Sequence, residues 1–169
     1  YYKNDIPKFN LDFQNDVVEM CPRISFLKIE IVPNIKKYKP YLESYFKNLK
    51  QNKKNLFTDI SNYLLYETGQ PTHCYDFKKL KGNLTLLKTN DEIEFNTLLD
   101  KKINLNGTNY VFMQNNQVIN LAGIVGGEST SCSKDTFEVL VECAFFKPEN
   151  IIGNTVKYNI ISDAAHRFE

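Results

Sequence analysis

The sequence predicts an α+β fold, with mostly antiparallel sheet and hairpins in the middle of the chain and helices on either side. Three observations carry this. Apolar residues recur at helical spacing between Tyr41 and Thr68, and helical stretches return after Pro148. Short runs of β-branched and aromatic residues fill the middle, punctuated by Asn106-Gly107 and Asn115-Asn116. Phe137–Phe145 alternates cleanly between two faces. Helices segregated from a block of strands are the pattern of an α+β domain.

Taken in order, residues 1–20 are polar and aromatic without a clean period and read as a lead-in from an upstream module; the domain proper occupies 21–169. Ile24 to Val32, bounded by Pro22 and Pro33, reads as a strand. Leu42, Tyr45, Phe46 and Leu49 make the i, i+3, i+4, i+7 stripe of an amphipathic helix over Tyr41–Lys50, with Pro40 suited to its first turn. A second helix spans Thr58 to Thr68, with Thr58 as N-cap, Gly69 as the left-handed terminator and Pro71 preventing continuation. Leu84–Leu87 and Ile93–Leu98 are short strands. Asn106-Gly107, between Ile103–Leu105 and Tyr110–Met113, is a strong hairpin signal, and Asn115-Asn116 is a second turn leading to Val118–Ala122. In Phe137–Phe145 the residues Phe137, Val139, Val141, Cys143 and Phe145 form an apolar face, and Glu138, Leu140, Glu142 and Ala144 the mixed one. Pro148 opens a helix to about Tyr158, and a last helix begins near Asp163.

The 169 residues suit one domain or two small modules sharing a core. Hydrophobic residues at 42% and charged residues at 24% exclude a disordered chain. A net charge of +1 argues against a protein that grips long stretches of phosphate, DNA included, though not against one that touches nucleic acid at one end. No apolar run reaches the roughly 20 residues of a membrane span and no signal peptide opens the chain, so the expected setting is cytoplasmic, without a membrane partner. Cys21, Cys74, Cys132 and Cys143 show neither C-x-x-C nor zinc spacing and read as free intracellular thiols.

Candidate chemistry is sparse. Glycine is scarce, yet Gly123, Gly126 and Gly127, three of the seven, fall within five residues. This is neither a dinucleotide fingerprint nor a P-loop. It reads as a tight turn, or as a wall where backbone approaches a ligand closely. His73, just past a helix end, is either a solvated loop histidine or a group for proton chemistry near neutral pH. Cys74 beside it points the other way on an extended chain, which disfavours a Cys–His nucleophile. His166 reads as structural. Glu142 on the mixed strand face reads as solvent-facing on pattern alone, although Leu140 and Ala144 share that face and would suit a pocket. Residues 36–54 hold seven lysines against one acid, Glu43, as a solvated helix face or a local phosphate-facing patch. No Ser-His-Asp set and no metal cluster emerges.

Five segments in order resemble the editing region of the bacterial-type phenylalanyl-tRNA synthetase β subunit, its third and fourth modules. Cys21-Pro-Arg23 resembles the motif that opens it. Asp59-Ile-Ser-Asn62-Tyr-Leu-Leu-Tyr-Glu67-Thr-Gly69-Gln70-Pro71-Thr-His73-Cys-Tyr-Asp76 resembles D-x-T-N-Y-x-x-x-E-x-G-Q-P-x-H-A-F-D. Leu121-Ala-Gly123-Ile-Val-Gly126-Gly127 resembles L-A-G-I-x-G-G. Glu142-Cys-Ala-Phe-Phe-x-Pro148 matches E-x-A-x-F-x-P, and Ser162-Asp-Ala164-Ala-His166-Arg167-Phe168-Glu169 resembles T-D-A-S-H-R-F-E.

The resemblance implies an excised editing domain, truncated at its C-terminal end relative to the family. Its implied activity is hydrolysis of the ester of mischarged tyrosyl-tRNA(Phe), in support of phenylalanine aminoacylation. The alternative is a non-catalytic RNA-contacting or subunit-scaffolding module of the same fold. Glu142 would accept the phenol hydroxyl, and Gly123 and Gly126 would line the amino-acid pocket. His73 and Asn62 would orient water and ester, and Ser162 and Ala164 would lie at the pocket. The implied partners are the 3′ end of tRNA(Phe) carrying tyrosine and the α subunit. No metal and no cofactor is implied here; ATP and Mg²⁺ would serve the parent enzyme elsewhere. Ser162 stands for a frequent Thr, Cys74 for Ala, and Leu99-Asp100-Lys101 lacks the glycine of an L-D-G turn.

Overall fold

In the computed structural model, which describes residues 9–31 and 38–169, the strand predicted after Pro22 runs from Arg23 to Glu30. Phe13–Asn15 (β1) comes from the segment read as a lead-in. It pairs in parallel with Leu84–Thr89 (β4), and Phe9, Leu11 and Val17 pack on the core. Residues 1–8, the end of the first predicted strand at Val32 and two lysines of the basic run, Lys36 and Lys37, lie outside the described residues.

Arg23–Glu30 (β2), His73–Asp76 (β3) and Glu138–Phe145 (β10) make a three-stranded antiparallel sheet with β10 in the centre. The two faces of β10 are the reverse of the sequence reading. Leu140, Glu142 and Ala144 are buried, whereas on the apolar face only Val139 is fully buried, Phe145 is 52% exposed and Val141 and Cys143 keep partial exposure. The mixed face packs on a second sheet; the apolar face is covered only in part by a helix. His73 is likewise the first residue of a strand rather than part of a loop.

The second sheet has the order β1, β4, Asn109–Gln114 (β7), Gln117–Leu121 (β8) and Val125–Gly126 (β9). Asn115-Asn116 does turn the β7–β8 hairpin. Both residues have positive φ, 46° and 61°, as a type I′ turn demands. Asn106-Gly107 does not make a hairpin. Lys102–Leu105 (β6) pairs with Ile93–Asn96 (β5) and β7 pairs with β4, so the turn carries the chain between sheets. The reason is local competition for its polar groups. Tyr158 Oη receives the Asn106 N–H at 3.2 Å and donates to Asn109 Oδ1 at 2.6 Å. Asn109 Nδ2 donates to the Asn106 and Gly107 carbonyls, each at 3.0 Å. Lys101, at the glycine-less L-D-K turn, donates to the Tyr158 and Asn159 carbonyls and anchors the same corner.

Pro40–Asn48 (α1) starts on Pro40 and buries Leu42 and Phe46. Leu56–Thr68 (α2) begins two residues before the expected start. Asn55, not Thr58, is its N-cap, and the Thr58 N–H is the group capped, at 3.0 Å. Gly69 ends it at φ 75°. The helix expected from Pro148 to Tyr158 is broken by Gly153 at φ 88°, leaving a short 3₁₀ turn, Pro148–Asn150, and Asn154–Tyr158 (α3). Asp163–Phe168 (α4) follows, capped by Ser162. One core joins both large sheets, with Tyr75, Leu86, Phe112, Ile119, Leu140, Phe146 and Ile151 among its enclosed side chains.

Removing the hydroxyl at the β6–β7 corner leaves buried Asn109 Oδ1 without its donor. Tyr158→Phe is expected to destabilise the chain by about 1–3 kcal/mol. In urea titrations this appears as a lower midpoint with an unchanged m-value.

Candidate functional site

Register assembles the site. Residues directly opposite in an antiparallel pair point to the same side of the sheet. Glu142 on β10 lies opposite His73 on β3 and Phe26 on β2; two residues on, Leu140 lies opposite Tyr75. His73, Tyr75 and Glu142 therefore share the face that meets the second sheet. That sheet presents Asn120 and Gly126, which are themselves paired across β8 and β9.

Glu142 is 5% exposed and not solvent-facing, contrary to its pattern. Its Oε2 accepts the Tyr75 hydroxyl at 2.6 Å, and Tyr75 Oη accepts Asn120 Nδ2 at 2.8 Å. No hydrogen bond from a described residue reaches Oε1. Burial raises the Glu142 carboxyl to about 7, with the Tyr75 hydrogen bond opposing the rise. Tyr75 is itself fully buried and held well above the usual phenol range, by burial first and by the neighbouring carboxylate second. Burial and Glu142 together push the Cys74 thiol up to about 12, which leaves it protonated and a poor nucleophile.

His73 keeps a partial solvent edge, but its Nε2 is enclosed and has no hydrogen-bond partner among the described residues. Its ring sits edge-on to Tyr75, centroids 4.4 Å apart. Burial pushes it down to about 4, so near neutral pH it is an uncharged imidazole, able to accept or donate a proton.

The glycines meet the chain's own atoms. A Cβ on Gly126 would stand 2.2 Å from His73 Cε1. One on Gly123, which also has φ 72°, would stand 2.7 Å from Ile151 Cδ1. One on Gly127 would stand 2.7 Å from the carbonyl of Ile119, the residue bulged between β7 and β8, and that carbonyl accepts the Gly127 N–H at 2.8 Å. Ser162 Oγ donates to the Ile124 carbonyl at 2.6 Å and accepts the Ala165 N–H at 3.0 Å, tying α4 to the glycine loop. Ala164, partly exposed, lies in the first turn of α4. Asn62 lies on α2; Tyr66, one turn further along the same face, donates to Asp163 at 2.7 Å and brings α2 to the start of α4. No described residue hydrogen-bonds the Asn62 side chain.

His73, Glu142 and Gly126 are thus brought into one cluster, with Gly123 and Ser162 behind the glycine loop and Asn62 and Ala164 at the α2–α4 meeting. Sequence reasoning missed Tyr75 and Asn120. Their signals were a tyrosine two residues from His73 on the same strand face and a lone amide inside the apolar run Val118–Ala122. Two other conspicuous motif residues are structural. Buried Asp59 accepts the Tyr38 hydroxyl and the Lys54 N–H, and Gln70 Nε2 donates to the Ala144 carbonyl. His166 is exposed, with no side-chain partner among the described residues. Surface cavities of about 560 and 490 Å³ lie elsewhere, the larger beside Tyr38, Lys53, Asp59 and Phe137, the smaller along β5 and β6. Among the described residues no group of three His, Cys, Asp or Glu could hold a metal ion, no helix is long and apolar enough to cross a membrane, and the four cysteines are free. Of the lysine run, Lys53 pairs with Glu43, while Lys39, Lys47, Lys50 and Lys54 are exposed.

Comparison with known proteins adds the following. A family model described as the B3/4 domain matches residues 20–169. The β subunit of phenylalanine–tRNA ligase from Francisella tularensis is 37% identical over 118 residues, covering 68% of this chain and 15% of that protein. The Burkholderia pseudomallei β subunit is 34% identical over 151 residues, covering 89% and 19%. The chain thus spans less than a fifth of the length of these relatives. A crystal structure of an N-terminal fragment of the phenylalanyl-tRNA synthetase β subunit from Pyrococcus horikoshii superposes with TM-score 0.55 at 12% identity, covering 82% of this chain and 46% of that one; the likeness is of fold.

Two outcomes are expected from the packed cluster. Gly126→Ala drives a methyl into the His73 ring and should cost about 1–3 kcal/mol. Adding His73→Ala should recover part of that loss, a coupling that a double-mutant cycle measures. The second concerns pH. Between 4.5 and about 7 the folded chain holds a proton on Glu142 that the unfolded chain releases, so this group lowers stability as pH rises. Between about 4 and 6.5 the unfolded chain binds a proton on His73 that the folded chain does not, so this group raises stability as pH rises. The slopes oppose. In Glu142→Gln, stability should climb from pH 4 to 6.5; in His73→Gln it should fall from 4.5 to 7, both read from denaturation midpoints against pH.

Proposed function

The chain belongs to the B3/4 domain family, and from that premise we propose that it is the editing domain of a phenylalanine–tRNA ligase β subunit, hydrolysing tyrosyl-tRNA(Phe). The observation that carries the reading is Glu142, a carboxylate enclosed between two sheets with one oxygen that no described residue donates to. An acceptor oxygen that no described residue donates to, on a side chain only 5% exposed, is a poor host for an apolar ring and a good one for a ring that brings a hydroxyl.

The chemistry explains why a separate site is needed. Tyrosine is phenylalanine plus one hydroxyl, and a hydrophobic synthetic pocket rejects an added hydroxyl by only about 10². A site that hydrogen-bonds the hydroxyl discriminates in the opposite sense by about 10⁴ or more, because phenylalanine leaves its partner unpaired. In the proposed step the phenol donates to Glu142. Uncharged His73 and the amide of Asn62, which no described residue hydrogen-bonds, hold the attacking water and the ester. Water adds to the ester carbonyl, and the ribose oxygen of the terminal adenosine leaves with a proton, giving free tyrosine and tRNA(Phe). Gly123 and Gly126 supply backbone beside the ring, with Ser162 and Ala164 at its rim. The near-neutral charge suits a domain that receives only the charged tip of the tRNA. The body of the tRNA, the α subunit, ATP and Mg²⁺ belong to other parts of the assembled ligase, acting in the cytoplasm.

A second reading, a scaffold without hydrolysis, draws on the filled glycine gaps and on Tyr75 already bonded to Glu142. Deacylation assays on the ligase assembled with its α subunit separate the two. The editing reading expects tyrosyl-tRNA(Phe) to be cleaved and phenylalanyl-tRNA(Phe) spared; equal cleavage of both, or of neither, sinks it. Glu142→Ala should erase the preference, and His73→Ala should slow deacylation by about 10²-fold.

A further inference from the structure

Tyr75 stands where the family pattern D-x-T-N-Y-x-x-x-E-x-G-Q-P-x-H-A-F-D has phenylalanine, and its extra atom changes the hydrogen bonding of the site. Asn120 Nδ2 can only donate, so it takes an acceptor position on Tyr75 Oη at 2.8 Å. The single phenol proton is thereby directed at Glu142 Oε2, 2.6 Å away. Phenylalanine at position 75 would leave both Asn120 Nδ2 and Glu142 Oε2 without these partners inside the core. The chain runs one way: amide to phenol to carboxylate.

Three consequences follow for Glu142. Its rotation is fixed, because Oε2 is pinned to an enclosed ring that is itself packed edge-on against His73 and Phe112. Oε2 is occupied, so Oε1 is the oxygen left for anything that enters. The carboxylate is also held as an acceptor, since a donated hydrogen bond stabilises its ionised form. The titratable groups around it do not supply that stabilisation. On β3 these are His73, Cys74 and Tyr75, on β10 Cys143, and ahead of β2 Cys21. Lys28, on the same sheet face of β2, is engaged with Glu138 at 3.3 Å. Tyr75 is therefore the group that opposes protonation of Glu142.

We infer that Tyr75, aimed by Asn120, is a specificity-positioning residue of this chain: it pins Glu142 through Oε2 and presents Oε1 to the hydroxyl of a bound phenol. This rests on the editing reading above and adds to it the atom that reads the substrate and the two residues that orient it. Tyr75 touches the reader and not the reacting ester.

The experiment compares the assembled ligase with Tyr75→Phe and, as a second variant that keeps the phenol but frees its proton, Asn120→Ala. The readout is the ratio of tyrosyl- to phenylalanyl-tRNA(Phe) deacylation from pH 6 to 9. In the parent, the ratio should fall as pH drops through about 7, where Glu142 takes up a proton and ceases to be a pure acceptor. In Tyr75→Phe the ratio at neutral pH should drop about tenfold, and the pH at which it falls should move upward. Asn120→Ala should shift both in the same direction by less. A Tyr75→Phe enzyme with the parent's ratio and pH midpoint overturns the inference. A higher ratio overturns it too, since Tyr75 would then be a competitor for Glu142. A parent enzyme without any preference overturns the editing reading and this inference together, whereas a selective parent with an indifferent Tyr75→Phe overturns this inference alone.

Discussion

A carboxylate buried between two sheets is the constraint on which the rest of this structure turns. Enclosing an ionisable group in a core is costly unless hydrogen bonds offset the lost hydration. Here the offset comes from a neighbouring strand of the same sheet, through Tyr75, and from the opposing sheet, through Asn120. The pair of bonds spans the sheet interface, so the two sheets are held in relative position by the same contacts that stabilise Glu142. Loss of register on β3 by one residue would turn His73 and Tyr75 to the other face and leave the carboxylate with no donor.

Close approach is the second requirement, and the glycine loop meets it. β9 lies so near β3 that the His73 ring takes the space a side chain at 126 would need. The bulge that leaves Ile119 unpaired turns its carbonyl to Gly127, and Ser162 then clamps the loop to α4 through the Ile124 carbonyl. The glycines thus permit the packing that encloses His73. Enclosure in turn keeps the imidazole uncharged where an ordinary histidine would begin to protonate. Sequence, packing and protonation state are linked through one missing Cβ.

Much of this could be read from the sequence. The α+β class, both long helices, the Asn115-Asn116 turn and a last helix beginning near Asp163 followed from local chemistry that the fold leaves undisturbed. Failures came where distant groups outbid local preference. Asn106-Gly107 has the composition of a hairpin, but Tyr158, some 50 residues later, claims its polar groups, and no local pattern contains that contact. The faces of β10 were inverted for a related reason. Hydrophobicity alone places Phe145 inward, yet the second sheet packs on the face bearing Leu140, Glu142 and Ala144, where Tyr75 bonds the carboxylate and is itself bonded by Asn120 from across the interface. Asn120 and Tyr75 had visible signals only as anomalies, a lone amide within the apolar run Val118–Ala122 and a tyrosine where the pattern has phenylalanine.

Those two anomalies are one feature. A phenylalanine at position 75 would fill the same space and pack against the same Phe112 and His73 rings, so hydrophobic packing gives no reason for the hydroxyl. Asn120, among the buried Val118, Ile119 and Leu121, is equally unfavourable on packing grounds, since its amide must find partners in the core. Each residue is unfavourable alone and satisfied by the other, with Glu142 completing the chain. Partly satisfied buried networks are worse than apolar cores, so a network of this kind holds together as a unit or not at all. The carboxylate oxygen that no described residue reaches is then an open acceptor of this chain of bonds, as the enclosed His73 Nε2 is beside it, which is the condition under which a ligand hydroxyl gains most by entering.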